Sequence, residues 1–99
     1  MNKKKVKIIV AGQTATGKST LALAIINALT EYGIEIDYKS EDYKSIEHLH
    51  NSMEHDITIA QRMDFLKEKI VVEVEEVSVK SEPTLQNVND VLTQKKIKQ

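Results

Sequence analysis

The sequence predicts an α/β fold in a single domain, residues 1–99: a minimal three-layer arrangement with a mainly parallel, three-stranded sheet flanked by helices. Three observations predict it. A β-branched run, Val6-Lys7-Ile8-Ile9-Val10-Ala11, closes on Gly12 and reads as a buried strand over about residues 5–11. A helical stripe follows from Lys18, and alternation returns at Ile34-Glu35-Ile36-Asp37-Tyr38, a second strand over 34–38. Strand, helix and strand within about 33 residues make one βαβ unit, whose crossover is right-handed.

The helix runs from Lys18 to Tyr32, with Leu21, Ala24, Ile25, Ala28, Leu29 and Tyr32 at three- and four-residue spacing as its expected buried face. Gly33 stands where a helix end commonly takes a left-handed residue. A second, weaker helical pattern covers Glu41 to Met53, with Tyr43, Ile46, Leu49 and Met53 on one face. Between Asp56 and Lys69 two patterns compete. Ile57-Thr58-Ile59 fits a short strand, whereas Ile59, Met63 and Leu66 fit a helix capped by Asp56, and the helix is favoured. Ile70 to Val79 reads as the third strand; its parity changes between Val74 and Val77, which a bulge at Glu75-Glu76 would reconcile. Pro83 suits the first turn of a last helix striped by Leu85, Val88 and Leu92, and Lys95 to Gln99 is expected to fray.

Composition narrows the function. Fourteen basic residues balance fifteen acidic ones, a net charge of −1 that leaves no electrostatic footprint for nucleic acid, which is not expected as a partner. The absence of Cys excludes disulfides, thiolate metal sites and cysteine nucleophiles. The apolar run after Lys3-Lys4-Lys5 is too short for a signal peptide or a membrane span, so a cytoplasmic protein is expected, with no membrane partner.

The chemistry concentrates at Gly12-Gln13-Thr14-Ala15-Thr16-Gly17-Lys18-Ser19, which matches G-x-x-x-x-G-K-[ST] at every fixed position and is followed by Thr20. Each fixed residue has a physical task. Gly12 and Gly17 permit turns that direct successive backbone N–H groups inward at phosphate oxygens. The helix beginning near Lys18 points the positive end of its dipole at the same place. Lys18 supplies a cation for the β- and γ-phosphates, and Ser19 a hydroxyl for Mg²⁺. Two of the three glycines in the chain lie in this pattern. Residues Gly12 to Thr20 are therefore the expected nucleotide-binding segment.

On these residues the stretch from 5 to about 45 resembles the front end of P-loop NTPases, in particular the small-molecule kinases that include adenylylsulfate and uridine kinases. The resemblance implies an acidic residue near the phosphates at the end of the second strand. Asp42 is the first choice and Asp37 the second, as base or substrate contact; capping of the next helix by Ser40 or Asp42 is the competing reading. It also implies a second acid for Mg²⁺, for which Glu73 and Asp56 are the nearest candidates, with Glu73 equally readable as a solvated strand residue. Kinases of this branch close a lid bearing Arg. Here Arg62 stands alone, as a finger acting in cis or across a subunit interface, or as a surface ion-pair residue. His48, His50 and His55 lack the i, i+4 spacing of a helical metal pair.

The expected activity is binding of a nucleoside triphosphate with Mg²⁺, ATP favoured because no guanine-selecting N-K-x-D occurs, with weak or partner-dependent hydrolysis. A small-molecule kinase using Asp42 or Asp37 and a non-catalytic nucleotide-binding regulator or sequestering protein are the alternatives. Three strands leave two open edges, so a homo-oligomer, or a protein partner that completes the sheet or the site, is expected.

Overall fold

The computed structural model describes residues 3–13, 16–54 and 57–98. Among them the regular structure is four helices, α1 (Lys18–Glu31), α2 (Ile46–Met53), α3 (Ile59–Leu66) and α4 (Leu85–Lys98), with no strand. This overturns the α/β expectation. The segments 5–11, 34–38 and 70–79 carry no regular secondary structure and join in no ladder, so among the described residues there is no three-stranded parallel sheet, no βαβ unit and no bulge at Glu75-Glu76. The physical reason is that a β-branched alternating run specifies extended backbone with two unlike faces, whereas a strand also requires a partner in register. Burial does not supply the missing drive either: Val6 is 88% exposed and Val71 94%.

The chain divides into two compact units, one formed by Val10–Val71 and the other by the residues up to Ile9 together with those from Val72 onward. The first holds the core. Leu23, Ile26 and Leu49 are its buried centre, and Ile36, Tyr38, Tyr43, Ile46, Met53 and Ile59 pack on them half-buried. Helix α1 packs against both α2 and α3. Its buried residues are Thr20, Leu23 and Ile26, not the Leu21-to-Tyr32 face expected from spacing; Ala28 and Tyr32 are exposed. The run from Leu21 to Ile26 is apolar all round, so periodicity cannot choose a face and the positions of α2 and α3 do.

Each helix of this unit is ended by local chemistry. At the end of α1, Gly33 takes φ +77°, its N–H donates to the Thr30 carbonyl (2.9 Å) and the Ile34 N–H to that of Leu29 (3.3 Å), a two-bond left-handed cap. Helix α2 starts later than the periodicity predicted: Ser45 is its N-cap, with Oγ accepting from the His48 N–H at 3.1 Å, while Ser40 accepts only from the Asp42 N–H, ahead of the helix. Its Ile46, Leu49 and Met53 form the expected inward face, while Tyr43, expected on the same helical face, packs on the core from ahead of the helix. Helix α3 is capped by Thr58 and Gln61 in a reciprocal box, the Thr58 N–H donating to Gln61 Oε1 at 2.9 Å and the Gln61 N–H to Thr58 Oγ1 at 3.2 Å. Asp56, the expected cap, lies outside the described residues.

In the second unit α4 begins after Thr84, whose Oγ1 accepts from the Asn87 N–H at 3.1 Å. Asn87 Nδ2 donates to the Glu82 carbonyl at 2.6 Å and to Ser81 Oγ at 3.1 Å, fastening the approach around Pro83. The helix continues to Lys98, through residues expected to fray.

Candidate functional site

Residues Gly12, Gln13 and Thr16 to Thr20 of the glycine-bracketed segment are described; Thr14 and Ala15 lie outside the described residues. Gly17 is the N-cap of α1 and adopts φ 87°, ψ 21°, the left-handed region that a side-chain-bearing residue enters at a cost. Having no side chain, it caps nothing, and no acidic residue occupies the first turn. That leaves the helix start open to an external anion, since the N–H groups of a first turn have no intrahelical partner. The first intrahelical bond runs from the Leu21 N–H to the Gly17 carbonyl at 3.0 Å.

Two side chains close the turn on itself. Lys18 Nζ donates to the Gly12 carbonyl at 3.1 Å, and Thr16 Oγ1 to the Gln13 carbonyl at 2.7 Å. Gly12 sits tightly inside this closure. A Cβ there would lie 2.9 Å from Thr16 Oγ1 and 3.4 Å from Lys18 Cγ, so a side chain at 12 would press on the groups that close the turn. Ser19 is half-buried in the first turn of α1. Thr20 faces inward, 6% exposed, with Oγ1 donating to Met53 Sδ at 3.8 Å.

The remaining candidates are spread more widely. Asp37 is exposed and paired with Lys39 Nζ at 3.8 Å. Asp42 is exposed in the turn before α2, its backbone N–H donating to Ser40 Oγ at 3.1 Å. Arg62 is half-buried on α3, and its Nε donates to the Met53 carbonyl at the end of α2. Glu73 is exposed and belongs to the other compact unit. Of the histidines, His48 accepts the Lys44 N–H on Nδ1 at 3.1 Å and meets the Tyr43 ring edge-on, while His50 lies 3.3 Å from Glu54. His55 is outside the described residues.

The fit to a phosphate group is thus local: two glycines where bulk is excluded or a left-handed turn is needed, one lysine amine over the loop, and an uncapped helix start. No protein-family model matches the chain, and neither a curated protein nor a solved structure matches it.

For Mg²⁺ the fit is thinner. Ser19 offers one hydroxyl, and no group of three His, Asp or Glu residues capable of holding a metal occurs among the described residues. Mg²⁺ commonly binds through substrate phosphates and retained waters with one or two protein oxygens, so Ser19 would join an ion that arrives with its nucleotide.

Two contributors were invisible as site residues in the sequence. Met53 and Leu66 read there as apolar stripe positions of their helices; in the structure Met53 contacts both Thr20 and Arg62, and Leu66 lies against Gly17. Their spacing marked them as packed, but nothing in it marked what they pack upon.

Proposed function

We propose that this protein binds a nucleoside triphosphate, ATP in preference, through Gly12–Ser19, and that hydrolysis is weak or depends on a partner. The observation that carries the reading is the Lys18 amine at 3.1 Å from the Gly12 carbonyl, six residues back in the motif, beside an uncapped helix start. A lysine held over such a turn is a point charge for β- and γ-phosphate oxygens, and the first turn of α1 supplies N–H groups aligned with the dipole. Ser19 is assigned to Mg²⁺ brought in by the nucleotide.

Holding is favoured over turnover because the groups that turnover needs are engaged or solvated. Arg62 donates to Met53, Asp37 pairs with Lys39, and Asp42 is exposed. Phosphoryl transfer relies on cations placed on the migrating group.

Calorimetric titration with ATP, ADP and GTP, with and without Mg²⁺, tests the proposal beside Lys18→Ala and a phosphate-release assay. Saturable binding that requires Lys18, with little release, is the expected result. Rapid release or transfer abolished by Asp42→Asn or Asp37→Asn would replace it with the kinase reading. No binding by the wild-type protein would end it.

A further inference from the structure

We infer that α3 is the buttress of the phosphate loop and that Arg62 is a positioning residue for it, acting through Met53 and Leu66 rather than by touching phosphate. The inference rests on the nucleotide-binding reading of Gly12–Ser19, and it assigns the lone arginine a role that reading leaves open.

The contacts form a closed circuit within one compact unit. From the first turn of α1, Thr20 Oγ1 donates to Met53 Sδ at 3.8 Å. The carbonyl of Met53, last residue of α2, accepts from Arg62 Nε. Arg62 and Leu66 stand four residues apart on α3, one above the other on the same face. The branched end of Leu66 then returns to the start of α1: a methyl placed on Gly17 would lie 2.7 Å from Leu66 Cδ1 and 3.0 Å from Cδ2. A displacement of α3 is thereby a displacement of the wall beside Gly17.

Each link has a physical reason to hold. The last carbonyls of a helix lack intrahelical donors and carry the negative end of its dipole, so a guanidinium at Met53 satisfies both deficits. The Thr58–Gln61 box fixes the start of α3 directly before Arg62. Gly17 turns the chain into α1 through its left-handed dihedrals, and Leu66 occupies the space that a side chain at Gly17 would need.

The alternative role for Arg62, a finger on the γ-phosphate, has a different signature. Positioning acts on the loop backbone, which ATP and ADP both contact through the β-phosphate, so loss of Arg62 weakens both alike. A finger discriminates, because ADP has no γ-phosphate.

The experiment compares full-length wild type with Arg62→Ala, Arg62→Lys, Leu66→Ala and the milder Leu66→Met, which keeps volume should the alanine variant fail to fold. Calorimetry gives the Kd for MgATP and for MgADP. Amide hydrogen exchange on the nucleotide-free proteins follows residues 17–20 against the far end of α1. Arg62→Ala is expected to weaken MgATP and MgADP by the same factor, about tenfold. The Arg62→Ala and Leu66→Ala double variant should lose less than the product of the single losses. Exchange should quicken at residues 17–20 and not at the far end, and Arg62→Lys should recover most of the affinity by offering Nζ to the same carbonyl. Loss of MgATP binding with MgADP unchanged would overturn the inference in favour of a finger. Unchanged affinity for both, or exchange raised uniformly through α1, would overturn it as well, the latter marking a general stabiliser. Failure of the nucleotide-binding reading is distinguishable, because it shows in the wild-type titration before any variant is made.

Discussion

At the scale of single residues, the three glycines illustrate how the same amino acid answers different demands. Gly33 has φ +77° and open space around a would-be Cβ, so only backbone strain opposes a side chain there. Gly17 has φ +87° and the Leu66 methyls against it. Gly33→Ala is expected to cost about 1–2 kcal/mol, the penalty of a left-handed non-glycine residue. Gly17→Ala should cost more, since Leu66 must also move, and urea unfolding of the two variants measures the difference. An equal loss would mean that Leu66 yields freely and is no wall. Lys18 tests the other side of the ledger. Its ammonium group bonds a single exposed carbonyl, so Lys18→Ala should leave the unfolding midpoint nearly unchanged. Nucleotide affinity should nevertheless fall about 10- to 100-fold, the range of a charge-assisted hydrogen bond.

At the scale of elements, α2 and α3 are eight-residue helices, too short to be stable in isolation. Caps and packing make up the deficit. Thr58→Ala removes one half of the reciprocal box and should destabilise by about 1 kcal/mol, with a loss of helical circular dichroism confined to what one short helix contributes. Leu49 is fully buried between α2 and α1, and Leu49→Ala should cost about 2–5 kcal/mol. For a chain of this size that range approaches the whole stability of the fold, so the variant is expected to be largely unfolded at 37 °C by near-ultraviolet dichroism.

At the scale of the whole molecule, a core centred on Leu23, Ile26 and Leu49 implies a narrow margin of stability, and a ligand that binds only the folded state should widen it visibly. MgATP at a hundredfold excess over its Kd should add about 2.7 kcal/mol, read as a rise in melting temperature that Lys18→Ala removes. Absence of any rise in the wild-type protein would contradict the proposed function. The apolar side chains left in solvent, among them Val6, Ile8, Ile9, Val71, Val72 and Val74, motivate a second proposal, that the protein self-associates or takes a protein partner. Sedimentation velocity across a wide concentration range decides the first alternative; a monomer throughout eliminates it. Among the described residues no helix is long and apolar enough to cross a membrane.

How much of this was legible beforehand depends on the range of the interaction concerned. The helix from Lys18, its termination at Gly33 and the existence of the later helices are written in spacing that acts over three to five positions, although α3 is capped by Thr58 and not by the expected Asp56. The glycine-bracketed motif and its Lys18 are likewise local and are singled out by spacing, whereas the Lys18 hydrogen bond to the Gly12 carbonyl is a finding of the structure. The buried face of α1 was not legible, because Leu21 to Ile26 presents apolar residues in every direction and only the docking of α2 and α3 distinguishes Leu23 and Ile26 from Leu21 and Ile25. Nor was it legible that 5–11, 34–38 and 70–79 pair in no ladder, since a ladder is a relation between distant segments and a pattern within one segment cannot specify it. The sequence by itself thus determined which stretches of the chain form helix and which segment is proposed to take phosphate. The tertiary structure alone decided that no sheet forms among the described residues, and that Met53, Arg62 and Leu66 stand behind that loop, because those outcomes depend on contacts between residues far apart in the chain.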